Sequence, residues 1–140
     1  MQFIIYTDAG ARGNPGPAGA GAYITDGAGK PLAEVSKFLG HATNNFAEYE
    51  AVILGLEALK KLVPEKQRKQ TEVEVRMDSE LIQRQLTRVY QVKEESLFSQ
   101  FIKVHNLMVK DFPKIVFTHV PREKNKDADR LANAAMDKGH

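Results

Sequence analysis

Four acids fall where ordered elements of this chain should end or begin: Asp8, Glu48, Asp78 and Asp129. Asp8 closes the β-branched and aromatic run Phe3-Ile4-Ile5-Tyr6-Thr7, and Asp78 closes the alternating run at residues 72–77, EVEVRM. Two strands paired in parallel about 4.8 Å apart would bring these carboxylates out side by side. They would then lie at the carboxyl end of the sheet, where open α/β folds hold their ligands. Each acid also has an ordinary explanation. Asp8 before Ala-Gly and Asp78 before serine suit a turn or a helix cap. Asn45-Phe46-Ala47-Glu48 has the spacing of a capping box. Asp129, or equally Asp127, complements the dipole at the start of a helix. His119 reads by default as a half-buried histidine at a strand end. One reading joins them: acids crowded at adjoining element ends cannot stay ionised together without a cation. Hard oxygen ligands suit Mg²⁺ or Mn²⁺, and two such ions about 4 Å apart would stabilise the attacking water and the leaving oxygen of a phosphodiester.

The elements that must position these acids follow from periodicity. Strands are expected at 3–9, 20–26, 33–40, 72–77 and 114–120, with a hairpin-type loop, GAGKP, at 27–31. The stretch at 12–19, RGNPGPAG, is dense in turn formers and reads as irregular. Val52, Ile53, Leu56, Leu59 and Leu62 make a helical stripe over 45–62, and 64–70 reads as a polar connector. Helices are expected at 79–88, 94–111 and 126–137. Short links make antiparallel neighbours, and a helix between strands makes a right-handed parallel crossover. The fold class is therefore α/β: a mixed five-stranded sheet, three strands antiparallel and two added in parallel, with helices on both faces.

Composition narrows the function. The chain has 140 residues, 42% hydrophobic and 27% charged, and no cysteine. That length suits one domain over 1–140 with a core of its own. Without cysteine there is no disulfide scaffold, thiolate zinc site or cysteine nucleophile. No apolar run approaches the roughly 20 residues of a membrane span, and the first seven residues lack the features of a signal peptide; a soluble, cytoplasmic protein is expected. Residues 1–59 carry three basic and six acidic side chains, whereas 60–140 carry 17 basic and 12 acidic. The basic clusters at 60–69 and 122–130 could meet phosphates, but a solvated surface and helix-end lysines are the first explanation. There is no GxGxxG, P-loop or GxSxG motif, and His41, His105, His119 and His140 lack HExxH spacing. A glycosidase pair needs no third and fourth acid.

Four segments, taken in order, carry a resemblance: 6–19 (YTDAGARGNPGPAG), 43–51 (TNNFAEYEA), 77–80 (MDSE) and 119–133 (HVPREKNKDADRLAN). With this element pattern the chain resembles the type 1 ribonuclease H family over essentially its whole length. The resemblance implies a ribonuclease H-like sheet and metal-binding carboxylates at Asp8, Glu48, Asp78 and Asp129. It places at His119 a mobile histidine that assists water or product handling. Asp129 is the matching acid because it directly precedes the 130–133 segment, RLAN. The implied activity is cleavage of the RNA strand of an RNA/DNA hybrid, leaving 5′-phosphate and 3′-hydroxyl ends, with two Mg²⁺ ions or Mn²⁺ as substitute. Asn14, Asn44 and Asn45 match minor-groove contacts, the Arg12–Gly13 backbone a 2′-hydroxyl contact, and Thr43 a phosphate contact of the DNA strand. An A-form-like duplex displays 2′-hydroxyls in a wide, shallow minor groove, so sugar type is readable without base sequence. Asn44 and Asn45 as caps, and Asn14-Pro15-Gly16 as a turn, are the plain alternatives.

Two departures qualify the resemblance. The chain has no tryptophan, and residues 88–96, RVYQVKEES, stand where many relatives carry a basic protrusion; this is the short branch, with weaker substrate affinity expected. Glu80 stands where many relatives have glutamine, and an ionised carboxylate cannot donate a hydrogen bond. Double-stranded RNA, RNA–DNA junctions, or hybrid binding without turnover are the alternative activities. A monomer is expected, and no protein partner is identifiable.

Overall fold

The computed structural model describes residues 1–139. Five strands form one sheet in the order β3-β2-β1-β4-β5. They are β1 (Gln2–Ala11), β2 (Gly16–Asp26), β3 (Pro31–Ala42), β4 (Glu72–Met77) and β5 (Ile115–His119). β1 pairs antiparallel with β2, and β2 with β3, whereas β4 joins β1 in parallel and β5 joins β4 in parallel. The helices are α1 (Asn44–Leu62), α2 (Glu65–Arg68), α3 (Glu80–Leu86), α4 (Phe98–Lys110) and α5 (Lys126–Lys138), with 3₁₀ turns at Glu95–Leu97 and Arg122–Lys124. The expected mixed sheet is therefore present. No helix among the described residues is long and apolar enough to cross a membrane.

Period-two alternation divides β2 between two layers. Ala20, Ala22 and Ile24 are fully buried, and Ala22 and Ile24 join Ile5, Tyr49, Val52, Leu56, Val75, Met77, Ile82, Val104 and Phe117 in the main core. That core lies between the sheet and α1, α3 and α4. The intervening Gly19 and Gly21 face α5 on the opposite side, where a side chain would collide with the helix. A Cβ on Gly21 would lie 2.6 Å from the Ala132 nitrogen and 2.7 Å from the Ala128 oxygen. α5 meets this surface with Ala128, Leu131, Ala132, Ala135 and Met136.

β2 begins at Gly16, four residues before the expected start, so the end of the turn-rich 12–19 stretch is strand. Gly16–Ala18 pair with Gly40–Ala42 of β3. Local sequence favours a turn there, and pairing on both sides of a central strand overrides it. The 64–70 connector contains the short α2. Two members of the basic cluster beside it are structural: Arg68 donates to the Lys60 and Val63 carbonyls near the end of α1, and Lys60 and Arg68 flank the buried Asp111 at 3.6 and 3.3 Å.

The close approach of α5 makes Gly21 the sensitive position of this layer. Gly21→Ala should destabilise the protein by about 1–3 kcal/mol, the usual cost of overpacking, read as a lower urea midpoint. An unchanged midpoint would show that α5 yields without cost.

Candidate active site

Parallel pairing aligns Thr7 of β1 with Met77 of β4, so the next residue of each strand is an aspartate at the same sheet edge. Asp8 is buried at the end of this row, and Asp78 is half-buried beside it. Glu48 comes from the second turn of α1, a fully packed face that also carries Ala47, Tyr49, Ala51 and Val52. Its Oε1 accepts a hydrogen bond from the Ala9 N–H at 3.1 Å, which aims the carboxylate at the strand end. The capping-box reading fails for a structural reason: Thr43 is the N-cap of α1, its hydroxyl accepting from the Phe46 N–H at 3.2 Å. Ser79, not Asp78, caps α3.

Asp8, Glu48 and Asp78 each offer a carboxylate oxygen within 4.8 Å of the others. Asp129, in the first turn of α5, lines the same cleft of about 440 Å³ but stands outside that tight trio. Its helix is anchored by Asn125, a buried residue whose Nδ2 donates to the Thr7 carbonyl at 2.8 Å; the Asp129 N–H in turn donates to the Asn125 carbonyl. Asn125 was not singled out from the sequence, where only its place before a helix distinguishes it. Its tie to β1 is a tertiary contact.

The electrostatics are those of a site short of positive charge. No cationic side chain among the described residues pairs with any of the four acids. Burial, then the Asp78 charge and hydrogen bonding with Asp129, push Asp8 from 3.8 up to about 8. Burial, then the charges of Asp8 and Asp78, raise Glu48 well above the usual carboxylate range. A divalent cation fits this donor set: all ligands are hard oxygens, and the like charges need an opposite one. Asp8, Glu48 and Asp78 would hold it, with Asp129 lining the same cleft.

The other expected residues are placed differently. His119 ends β5 and is exposed; it is not among the residues lining the cleft, whereas Arg122 is. In the sequence Arg122 stands out only as part of a basic cluster, because only the 3₁₀ turn after Pro121 brings it there. Arg12, Asn44 and Asn45 line the cleft. Arg12 pairs with Asp137 at 2.6 Å, and Gly13 has φ 87°, a left-handed conformation that suits glycine. Asn14 accepts from the Asn44 N–H. Glu80 lies outside the cleft lining, paired with Arg84 one helical turn on at 3.0 Å. His140 lies outside the described residues.

This sheet order, with acids at the carboxyl ends of its central parallel pair, defines a ribonuclease H-like domain. The model of the reverse transcriptase-like family matches residues 6–135. Ribonuclease HI of Halobacterium salinarum is 39% identical over 132 residues, covering 94% of this chain and 63% of that one. A bifunctional protein of Mycobacterium tuberculosis is 42% identical over 138 residues, and the chain spans only 36% of its length. Among solved structures, LC11-RNase H1, isolated from compost and crystallised with an RNA/DNA hybrid, superposes with a TM-score of 0.93 at 54% identity, covering 97% of each chain. The chain belongs to the ribonuclease H family.

The raised carboxyls make a pH prediction. Burial and the neighbouring carboxylates hold Asp8 at a pKa of about 8 in the folded protein, against its ordinary 3.8 in the unfolded chain. Between those values the folded, metal-free protein holds a proton that the unfolded chain has released. Stability from this source is full below about pH 4 and is lost as pH rises toward 8. The metal-free melting temperature should therefore fall from pH 5 to pH 8. Asp8→Asn should flatten part of that fall and raise the pH 8 value by roughly 5 °C, on the scale of about 2–4 °C per kcal/mol for a chain of this size. A lower melting temperature in the variant at pH 8 would contradict the crowding of charge.

Proposed function

We propose that this chain is a divalent-metal-dependent endoribonuclease that hydrolyses the RNA strand of RNA/DNA hybrids, leaving 5′-phosphate and 3′-hydroxyl ends. The observation that carries the reading is the trio Asp8, Glu48 and Asp78, with carboxylate oxygens within 4.8 Å of one another and, among the described residues, in no side-chain ion pair. The hybrid as substrate is supported by LC11-RNase H1, whose structure contains one. When bound, Mg²⁺, with Mn²⁺ as substitute, would acidify a water and neutralise charge on the leaving oxygen.

The chain's own residues supply position. Glu48 is oriented by the Ala9 N–H, and α5 brings Asp129 to the same cleft. Asn44 and Asn45 stand in the cleft wall, where they would face the minor groove of a duplex seated with a phosphate at the acids. Arg122 adds positive charge to a cleft that carries four acids, which favours the approach of a polyanion.

Incubation with an end-labelled hybrid in Mg²⁺, Mn²⁺ or EDTA tests the reading. Matched single-stranded RNA, double-stranded RNA, double-stranded DNA and an RNA–DNA junction serve as comparisons. Cutting should be metal-dependent and confined to the RNA of the hybrid. Asp8→Asn should lower it by at least about 10²–10³-fold, the scale of losing a group that stabilises charge only in the transition state, with hybrid binding retained. Near-normal turnover in that variant would sink the reading. Preferential cutting of double-stranded RNA or junctions would reassign the substrate.

A further inference from the structure

Asn44 and Asn45 line the cleft, Asn14 is bonded to Asn44 beside it, and the three amides are not equivalent. A side-chain amide presents either its carbonyl or its NH₂, and the partner on the other end decides which. Asn44 Oδ1 accepts from the Ala11 N–H at 2.8 Å, and Asn14 Oδ1 accepts from the Asn44 N–H at 3.0 Å. Backbone donors engage both carbonyls, which leaves NH₂ groups to meet a ligand. Asn45 is turned the other way: its Nδ2 donates to Glu94 Oε1 at 3.0 Å. A carboxylate only accepts, so the Asn45 nitrogen must face it and the carbonyl must face away. Among the described residues no side-chain donor engages Asn45 Oδ1, and Asn45 lines the cleft beside Glu48.

Glu94 is set in place by its own segment. The chain leaves α3 through Arg88, at φ 66°, and the Val89 and Tyr90 N–H groups both donate to the Arg84 carbonyl. The Arg84 guanidinium lies 5.6 Å from the Tyr90 ring centroid. At the other end the Glu94 carbonyl accepts from the Leu97 N–H at 3.0 Å, and Leu97 is fully buried. The short connection thus delivers a carboxylate to the amide of Asn45 from outside the cleft.

We propose that Glu94 is a specificity-determining residue: it locks Asn45 with its carbonyl toward the bound duplex. The inference rests on the reading that the cleft receives an RNA/DNA hybrid. Asn14 and Asn44 then offer donors, which suit the purine N3 and pyrimidine O2 acceptors that every base pair shows in the minor groove. Asn45 offers an acceptor, which demands a donor on the duplex. The minor groove has two: the guanine 2-amino group and the ribose 2′-hydroxyl. Two contacts are therefore indifferent to sequence, and the third discriminates.

Binding of labelled hybrids to the wild type, Glu94→Ala and Glu94→Gln, with Ca²⁺ in place of Mg²⁺, tests this by fluorescence anisotropy. One hybrid is unmodified, one has inosine for guanine, and one has 2′-O-methyl in place of the 2′-hydroxyl, which keeps the oxygen and removes the donor. The wild type should lose about three- to tenfold in affinity, the worth of one hydrogen bond, on one modified hybrid, and the identity of that hybrid names the donor. Glu94→Ala should lose less than about twofold there, and Glu94→Gln, which still has an acceptor, should fall between. The ratio within each protein cancels the general gain from removing a negative charge near phosphates. Equal losses in wild type and Glu94→Ala, or no loss in the wild type, overturn the proposal. Cleavage of the unmodified hybrid in Mg²⁺, followed in parallel, separates the two readings. Discrimination without cleavage contradicts the hydrolase and leaves Glu94 standing, whereas absence of hybrid binding overturns both.

Discussion

Carboxylates held within 4.8 Å of one another repel, and burial makes the repulsion worse by removing the water that would screen it. Nothing in the local sequence of β1, β4 or α1 requires the three acids to meet. They meet because the parallel β1–β4 register aligns Thr7 with Met77 and because α1 crosses the same end of the sheet with Glu48 turned inward. The Ala9 N–H offsets part of the cost through its bond to Glu48, and protonation of Asp8, pushed up to about 8, offsets another part. What remains is a site that a divalent cation would relieve.

Much of the surrounding structure serves to hold this arrangement still. The main core clamps α1 onto β1, β2 and β4 through Ile5, Ala22, Tyr49, Val52, Leu56 and Val75, so Glu48 rides on a rigid helix. On the other face the approach of α5 depends on Gly19 and Gly21 having no side chain. Asn125 pins the start of that helix to the Thr7 carbonyl, one residue before Asp8. The fourth acid is thus positioned by a small-residue layer and one buried amide rather than by the main core.

The sheet was legible in the sequence because its strands announce themselves by composition and alternation, and the parallel pair follows from the helices between them. Asp8 and Asp78 could be matched for the same reason. The start of β2 was not legible, because residues 16–19, GPAG, look like a turn to any local measure. Pairing with β3 throughout, and with β1 at Ala18 and Gly19, makes them strand, and α5 leaves no room for a side chain at Gly19. Asp129, Asn44 and Asn45 line the cleft. His119 does not line it and Arg122 does, since a 3₁₀ turn after Pro121 sets which side chain turns inward. The partner of Asn45 was equally hidden: Glu94 lies 49 residues away, in a segment distinguished from the sequence mainly by what it lacks.

The central claim is that the crowded acids form a cation site, and anomalous diffraction from crystals soaked in Mn²⁺ addresses it most directly. The account predicts a strong peak bounded by Asp8, Glu48 and Asp78, lost or much weakened in Asp8→Asn crystals of the same form. Absence of a peak there, at a Mn²⁺ concentration that supports hydrolysis of the hybrid in solution, would contradict it.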